Sequence, residues 1–133
     1  MNDNQVEQEI QAKGLTAPRV TQADIDSNIA SEHYFTAAEG TLGNVMFGNY
    51  DYQVEPGAYE QPKASLDLLT FCVMVLKNGF TVSGESSCAS PENFDAELGR
   101  KIAKQNAVAK IWPLMGYELK CRLAAGESEE THL

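Results

Sequence analysis

The clearest hydrophobic pattern in the chain is the run from Leu68 to Leu76, where both alternating sets of side chains are largely apolar. A strand that is apolar on both faces is expected at the centre of a sheet, covered on both sides. The Lys77-Asn78-Gly79 sequence that follows favours a tight turn, because Asn-Gly supplies positive φ values. The return segment to Ser86 alternates apolar and polar positions. Residues 68–86 are therefore predicted to form a β-hairpin whose second strand has one solvent-exposed face.

A long helix is predicted directly after the hairpin. Ser90 is placed to cap it, Pro91 suits the first helical position, and Glu92 and Asp95 put acidic groups in the first turn. Apolar residues then recur at helical spacing and predict the face that packs on the sheet. These residues are Phe94, Leu98, Ile102, Ala109 and Trp112.

Pro113 interrupts this helical pattern, and proline cannot donate to the helix ladder. We therefore expect a kink or a restart there, with Met115, Leu119 and Leu123 packing beyond it. The pattern as a whole predicts one α+β domain over residues 1–133. Its small antiparallel sheet is packed by a long C-terminal helix, kinked near Pro113, and by a shorter N-terminal helix.

Two helices are predicted before the hairpin. The first, at about residues 4–13, has a thin apolar stripe, so residues 1–14 are expected to fray, and Gly14 is suited to end it. The second begins at Thr21, which forms a variant capping box with Asp24, and runs to about Ser31. Val20 and Ile25 are spaced as a hydrophobic staple around this start. A short strand at residues 33–36 follows.

The remaining segments show no clear periodicity. Residues 37–65 contain four glycines and two prolines and are predicted to be a variable loop insertion. Within it, aromatic side chains alternate with others in residues 49–54, as in an exposed strand or a binding loop. Residues 125–133 are predicted to be a polar tail.

Composition fits a soluble cytosolic protein without a membrane span or secretory signal, because no apolar run reaches about 18 residues and the N-terminus is polar. The odd cysteine count, at Cys72, Cys88 and Cys121, indicates reduced thiols. No cofactor is expected. A structural metal is not expected either, since Cys and His side chains do not cluster in the sequence.

The net charge of −9 is concentrated in the first half of the chain. Residues 1–67 carry three basic and eleven acidic groups, whereas residues 68–125 carry seven basic and five acidic groups. General nucleic-acid binding requires a basic surface that displaces counterions, so this function class is disfavoured. An anion pocket within the near-neutral block remains compatible with the sequence.

The sequence contains no convincing catalytic set. Gly84-Glu85-Ser86-Ser87-Cys88 superficially resembles a nucleophile elbow, but Cys88 stands where the second glycine is required. Cys88 precedes a predicted helix start, yet cysteine is more often a small buried residue than a nucleophile. We therefore expect a protein that is not an enzyme.

The junction between hairpin and helix is the candidate binding site. Free amides near Glu92 and Asn93, together with nearby hydroxyls, could hold a phosphate at a helix start, and Arg100 or Lys101 from a neighbouring subunit could add charge. The alternative is an ordinary capped turn. The hydroxyls belong to Ser86, Ser87 and Ser90.

The doubly apolar strand also poses a packing problem. The long helix can cover one face, which leaves the other for the early helix, the aromatic segment or a second subunit. A homo-oligomer that buries this face is therefore one of three hypotheses.

The chain resembles a family of small tailed-phage proteins known by phage gene products 49 and 66. The resemblance rests on the run from Thr70 to Leu119, above all its Gly-Glu-Ser and Ser-Pro-Glu-Asn-Phe-Asp strings, and on residues 20–40. It covers roughly Pro18 to Leu123. It implies a phage or prophage product that works in the bacterial cytoplasm, and it supplies no catalytic residues to transfer.

Two binding functions follow as hypotheses. In the first, the protein is a phage accessory factor that docks on a host protein, either to redirect metabolism or to block a defence system, and its acidity suits a basic partner surface. In the second, it sequesters a small anionic signalling nucleotide. An enzyme such as a hydrolase is the least favoured class.

Overall fold

The structure, a computed structural model, describes residues 2–47 and 60–126. A three-stranded antiparallel sheet carries a long helix on one face, so the predicted α+β architecture is confirmed. The predicted tail beyond residue 126 and the aromatic alternation at residues 49–54 lie outside the described residues. In chain order the elements are α1 (Asp3–Ala12), α2 (Gln22–Ser27), β1 (Ile29–Thr36), α3 (Ala37–Met46), α4 (Glu60–Leu66), β2 (Leu69–Leu76), β3 (Thr81–Ser87), a 3-10 turn (Pro91–Asn93) and α5 (Ala96–Ala124).

The sheet has the order β1-β2-β3, with the predicted hairpin forming β2 and β3. Gly79 takes a φ of 90° in the connecting turn, as its sequence predicts. The side chains of β2 alternate between buried and half-exposed. We call the buried side, which faces α5, the inner face and the other side the outer face. Of the three predicted covers for the outer face, the early helix α2 packs on the inner side instead, through Ile25. Cover by the aromatic segment or by a second subunit stays a prediction.

The packing of α5 on the sheet depends on one very close approach at Gly84. A Cβ atom at this position would overlap the backbone nitrogen of Ala107 and the carbonyl oxygen of Ala103. Glycine is therefore required here for steric reasons, because the helix backbone lies where a side chain would be. A second close contact joins Gly99 to the buried Thr70, at 3.1 Å from Thr70 Oγ1 to a Cβ built on the glycine.

The predicted packing face of α5 is wrong in its N-terminal half. Leu98 is 53% exposed, Ile102 and Ala109 are exposed, and Phe94 and Trp112 are only half-buried. The buried stripe instead takes every fourth residue and begins with small side chains, which the close approach requires. Its members are Gly99, Ala103, Ala107, Ile111, Met115 and Leu119.

The C-terminal half of α5 agrees better with the prediction. Met115 and Leu119 are buried, whereas Leu123 is exposed. The helix runs through Pro113 without interruption, so the helix does not restart there. Its buried stripe joins Ile25 and the inner face of the sheet in one hydrophobic core.

The predicted start of α2 is confirmed. The Thr21 hydroxyl accepts from the Asp24 amide at 3.1 Å, and the Asp24 carboxylate accepts from the Thr21 amide at 2.9 Å. Val20 and Ile25, the predicted staple, both pack in the core. The helix ends at Ser27 rather than Ser31, because β1 already begins at Ile29.

The predicted loop insertion at residues 37–65 contains two helices, α3 and most of α4. The start of α3 is a full capping box: the Thr36 hydroxyl accepts from the Glu39 amide, and the Glu39 carboxylate accepts from the Thr36 amide. The Thr-x-x-Glu signal was present in the sequence, but Gly40 and Gly43 obscured it because glycine disfavours helices. Gly40 instead lets α3 approach the ring of Phe35.

Helix α1 attaches to the domain mainly through polar contacts, and none of its residues is buried. Gly14 follows it with a φ of 67°, which confirms the predicted helix end. Both guanidinium Nη atoms of Arg19 donate to the Glu7 carboxylate, at 2.8 and 2.6 Å. These hydrogen bonds, with one from Gln11, lower the pKa of Glu7 from 4.5 to about 2.

The outer edge of β3 is partly blocked. The Leu76 amide donates to the Phe80 carbonyl at the hairpin end. In an antiparallel ladder, hydrogen-bonded and non-hydrogen-bonded pairs alternate, which makes Phe71 and Glu85 a non-hydrogen-bonded pair. The backbone carbonyl of Glu85 therefore points away from β2. The side-chain amide of Asn106 on α5 donates to this carbonyl at 2.8 Å.

Replacing Gly84 by alanine is expected to destabilise the fold severely. The new methyl group would collide with helix backbone rather than with a flexible side chain, so α5 must move away from the sheet. We expect Gly84→Ala to lower the free energy of unfolding by about 3 kcal/mol or more in urea denaturation.

Gly116→Ala is the matched control for this substitution. Gly116 lies inside α5, and nothing stands within 4 Å of a Cβ built there. Alanine is the better helix former, so this variant should gain about 0.5–1 kcal/mol. Equal effects at the two positions would contradict the packing described for Gly84.

The stability that α1 gains from Glu7 should depend on pH. Because the folded-state pKa lies below the ordinary value, the Glu7–Arg19 pair contributes fully above about pH 4.5 and is lost as the pH falls towards 2. We expect the stability difference between wild type and Glu7→Gln to shrink over this window, in parallel urea titrations. Glu9→Gln, which removes only the exposed pair with Lys13, should show little difference at any pH.

Candidate functional site

The junction predicted to bind an anion has a different local structure from the one expected. Pro91 does begin a helical turn, but the turn is a single 3-10 turn and the Ser90 side chain makes no capping hydrogen bond. The long helix starts later, where the Asp95 carboxylate accepts from the Leu98 amide at 3.0 Å. The predicted Ser90 cap is therefore wrong. Substituting Asp95, rather than Ser90, removes a cap worth about 1 kcal/mol.

The backbone amides at this junction are also less available than predicted. The Asn93 amide donates to the carbonyl of Ser90 at 3.0 Å, and the Phe94 amide donates to that of Pro91 at 3.2 Å. At the start of α5, the Asp95 carboxylate and the acidic Glu97 already face the helix dipole. An added phosphate would meet these negative charges, so the junction is a poor anion site.

The other predicted site residues do not converge on the junction. Ser86 shares the inner face with the buried part of β3, whereas Ser87 is exposed on the opposite face. Arg100 is exposed on α5. Lys101 pairs with Glu97 at 3.5 Å and lines a groove with residues of α1 and α2. Glu92 is exposed beside Asn93 in the 3-10 turn.

Cys88 has a structural role at the end of the hairpin. Its amide donates to the carbonyl of Leu68 at 3.0 Å, and its thiol donates to the carbonyl of Ser90 at 3.2 Å. Neither contact supplies a base that could activate the sulfur.

A polar cluster lies at the edge between β1 and α5. The Tyr34 hydroxyl donates to Glu32 at 2.7 Å, and Lys104 forms an ion pair with the same carboxylate at 3.3 Å. These contacts lower the pKa of Glu32, the Tyr34 hydrogen bond first and Lys104 after it. Burial raises the pKa of the Cys72 thiol and, together with the bond to Glu32, that of Tyr34. Both groups are therefore held protonated, which suits a structural cluster rather than a nucleophile.

Within residues 2–47 and 60–126, no three His, Cys, Asp or Glu side chains come together as metal ligands would. In the same part of the chain, no helix has the length and apolarity that crossing a membrane requires.

A groove lies between α1, α2 and α5 and has a volume of about 830 Å³. Lys101 and Lys104 supply ammonium groups along it, and the half-buried Trp112 supplies an aromatic surface. Asp3 and Asp26 also line it, and the Trp112 indole nitrogen donates to Asp3 at 3.3 Å. The groove therefore combines an aromatic surface with charges of both signs. It could not be predicted from the sequence, because α2 and α5 are distant in the chain.

The outer face of the sheet is the second candidate surface. Val73 and Val75 stay half-exposed at its centre, and Phe35 and Phe71 pack together at one end with ring centroids 5.6 Å apart. Helix α3 leaves a cavity of about 380 Å³ over these two rings. Register places polar side chains around this apolar strip. They are Ser31, His33, Thr81, Ser83, Glu85 and Ser87.

Comparison with known proteins gives one match. The model of the Phage protein (N4 Gp49/phage Sf6 gene 66) family matches residues 20–123, which include β1 to β3 and nearly all of α5. A search of curated proteins and a search of solved structures each found no match.

Proposed function

This chain belongs to the Phage protein (N4 Gp49/phage Sf6 gene 66) family, and from that premise we propose that it binds a host protein in the cytoplasm of the infected bacterium. It acts there as an accessory factor and catalyses no reaction. The observation that carries the proposal is the outer face of the sheet, where an apolar strip stays half-exposed inside a polar rim.

This surface has the composition of a protein interface. An apolar centre with an aromatic pair and a polar rim is the usual anatomy of such a patch. A solvated sheet face would instead carry polar residues at the positions of Phe71, Val73 and Val75. The exposed strip therefore has a free-energy cost in water that a docked partner would remove.

The charge of the chain indicates what kind of partner fits. Glu85 lies in the rim, directly across from Phe71, and the chain carries a net charge of −9. A partner with an apolar patch surrounded by basic residues would complement this surface and associate faster with it. Host proteins that present basic, nucleic-acid-facing surfaces meet this description, and covering such a surface would block a defence system or redirect host metabolism.

Placing a charge in the apolar strip should abolish docking without unfolding the protein. Val73 is half-exposed on the outer face, so Val73→Lys can extend its ammonium into water. We expect this variant to lose at least about tenfold in the amount of a specific host protein that copurifies from infected cells, measured by quantitative mass spectrometry. The variant should keep the circular dichroism of the wild type.

Leu114→Lys is the control, because Leu114 is an exposed apolar residue on α5 and not on the sheet. It should retain the partner. Equal loss in both variants, or equal retention, would contradict docking through the outer face.

The groove between α1, α2 and α5 favours a second candidate function, the sequestration of a small anionic nucleotide. Its volume falls in the range of small-molecule sites, roughly 300–1,000 Å³. A nucleobase can stack on the Trp112 indole while phosphates reach Lys101 and Lys104. Asp3 and Asp26 oppose an anion, which makes this function the less favoured of the two.

The single tryptophan of the chain makes this candidate easy to test. If a nucleotide binds in the groove, cyclic di-AMP should quench Trp112 fluorescence and adenosine should bind at least about tenfold more weakly. Lys101→Met should weaken the response to cyclic di-AMP, whereas Lys110→Met, which is exposed on the same helix outside the groove, should not. An unchanged fluorescence, or equal binding of adenosine, would exclude an anionic ligand of this class at this site.

A further inference from the structure

Helix α1 lies across a shallow site formed by the rest of the domain. The site is a cavity of about 220 Å³ between α1 and the surface carrying Arg19, Val20 and Trp112. From α1, two acidic and two apolar side chains face this surface. They are Asp3, Val6, Glu7 and Ile10.

The pairing between α1 and this surface is specific. Arg19 holds both carboxylate oxygens of Glu7 in a two-pronged contact, and the Trp112 indole donates to Asp3. Such a fork recognises the planar shape of a carboxylate as well as its charge. Val6 and Ile10, one helical turn apart, line the same cavity as Val20 and Trp112.

The attachment of α1 is nevertheless thin. No residue of this ten-residue helix is buried, and Val6 is 41% exposed. A helix of this length has little stability of its own in water. Segments with few buried apolar contacts open at a small free-energy cost, and α1 is such a segment.

We propose that the surface under α1 is a docking site for an acidic amphipathic helix of a partner protein, and that α1 is its built-in occupant. The chemistry of the partner is given by α1 itself: two carboxylates four residues apart and two apolar residues four residues apart on the same side. This is the helix-in-groove mode of recognition. In the adjoining groove, Lys101 and Lys104 would attract further acidic groups on a longer helix, whereas Asp26 would repel them.

This site is separate from the outer sheet face, so it adds a second interaction surface whether or not the host-docking function is correct. Because α1 is tethered, it competes at a millimolar effective concentration. A partner helix must therefore bind more tightly than α1, or α1 must first be released. The tether thus makes the surface selective for helices that match it better than α1 does.

The test uses the full chain and a fluorescent peptide that contains residues 2–13, with binding followed by fluorescence anisotropy. We expect the wild-type chain to bind the peptide weakly, because its own α1 occupies the site. The Glu7→Gln chain loses the carboxylate that holds α1 to Arg19, and it should bind the wild-type peptide at least about tenfold more tightly.

Glu9→Gln is the matched control on the same helix. It removes the same charge, but Glu9 pairs only with the exposed Lys13 and does not line the site. This chain should bind the peptide as weakly as the wild type does. Adding Arg19→Gln to the Glu7→Gln chain should reverse the gain, because the fork that recognises the peptide carboxylate is removed.

A second variant covers the case in which Glu7→Gln does not fold. Val6→Ser loosens the apolar side of α1 at a half-exposed position and should also increase peptide binding. The proposal is overturned if neither variant binds the peptide better than the wild type, or if binding is independent of Arg19.

Discussion

The contact between the backbone of α5 and Gly84 on β3 determines the shape of this protein. Because helix and strand touch without an intervening side chain, the buried stripe of α5 must begin with small residues, Gly99, Ala103 and Ala107. It continues with the larger Ile111 and then Met115 and Leu119. Ile25 of α2 joins this stripe and the inner face of the sheet in one core. One glycine thus fixes how closely helix and sheet can approach at this point.

The same contact explains which parts of the fold were predictable. Several signals that act within a few residues were read correctly, namely the Asn-Gly turn, the Thr21 capping box and the glycine after α1. The Ser90 cap and the Thr36 capping box were not. The packing face of α5 was not, because the prediction followed the large apolar side chains Leu98 and Ile102. Which side of a helix faces a sheet depends on how close the two come, and that distance is set by Gly84, in a different part of the chain.

The candidate sites also divide into one that a local sequence pattern suggests and others that only the fold brings together. The junction at Ser90 looked like an anion site because the sequence suggested one capped helix, but its amides are used locally and its helix begins at an acidic residue, Asp95. The surfaces that remain open join distant segments. Trp112 meets α1 across the domain, and Phe35 meets Phe71 across two strands. No pattern of spacing within one element predicts such pairs.

The hydrogen bond from Asn106 to the Glu85 carbonyl has a consequence for the behaviour of the protein at high concentration. An exposed edge strand is a template on which strands of other molecules can add, which leads to fibrous aggregates. Here the helix that packs the core also occupies an outward-facing acceptor in the middle of that edge. A strand from another chain would have to displace this amide before it could pair in register. The β3 edge is therefore a poorer template for strand addition at this point, although the neighbouring sheet face stays apolar.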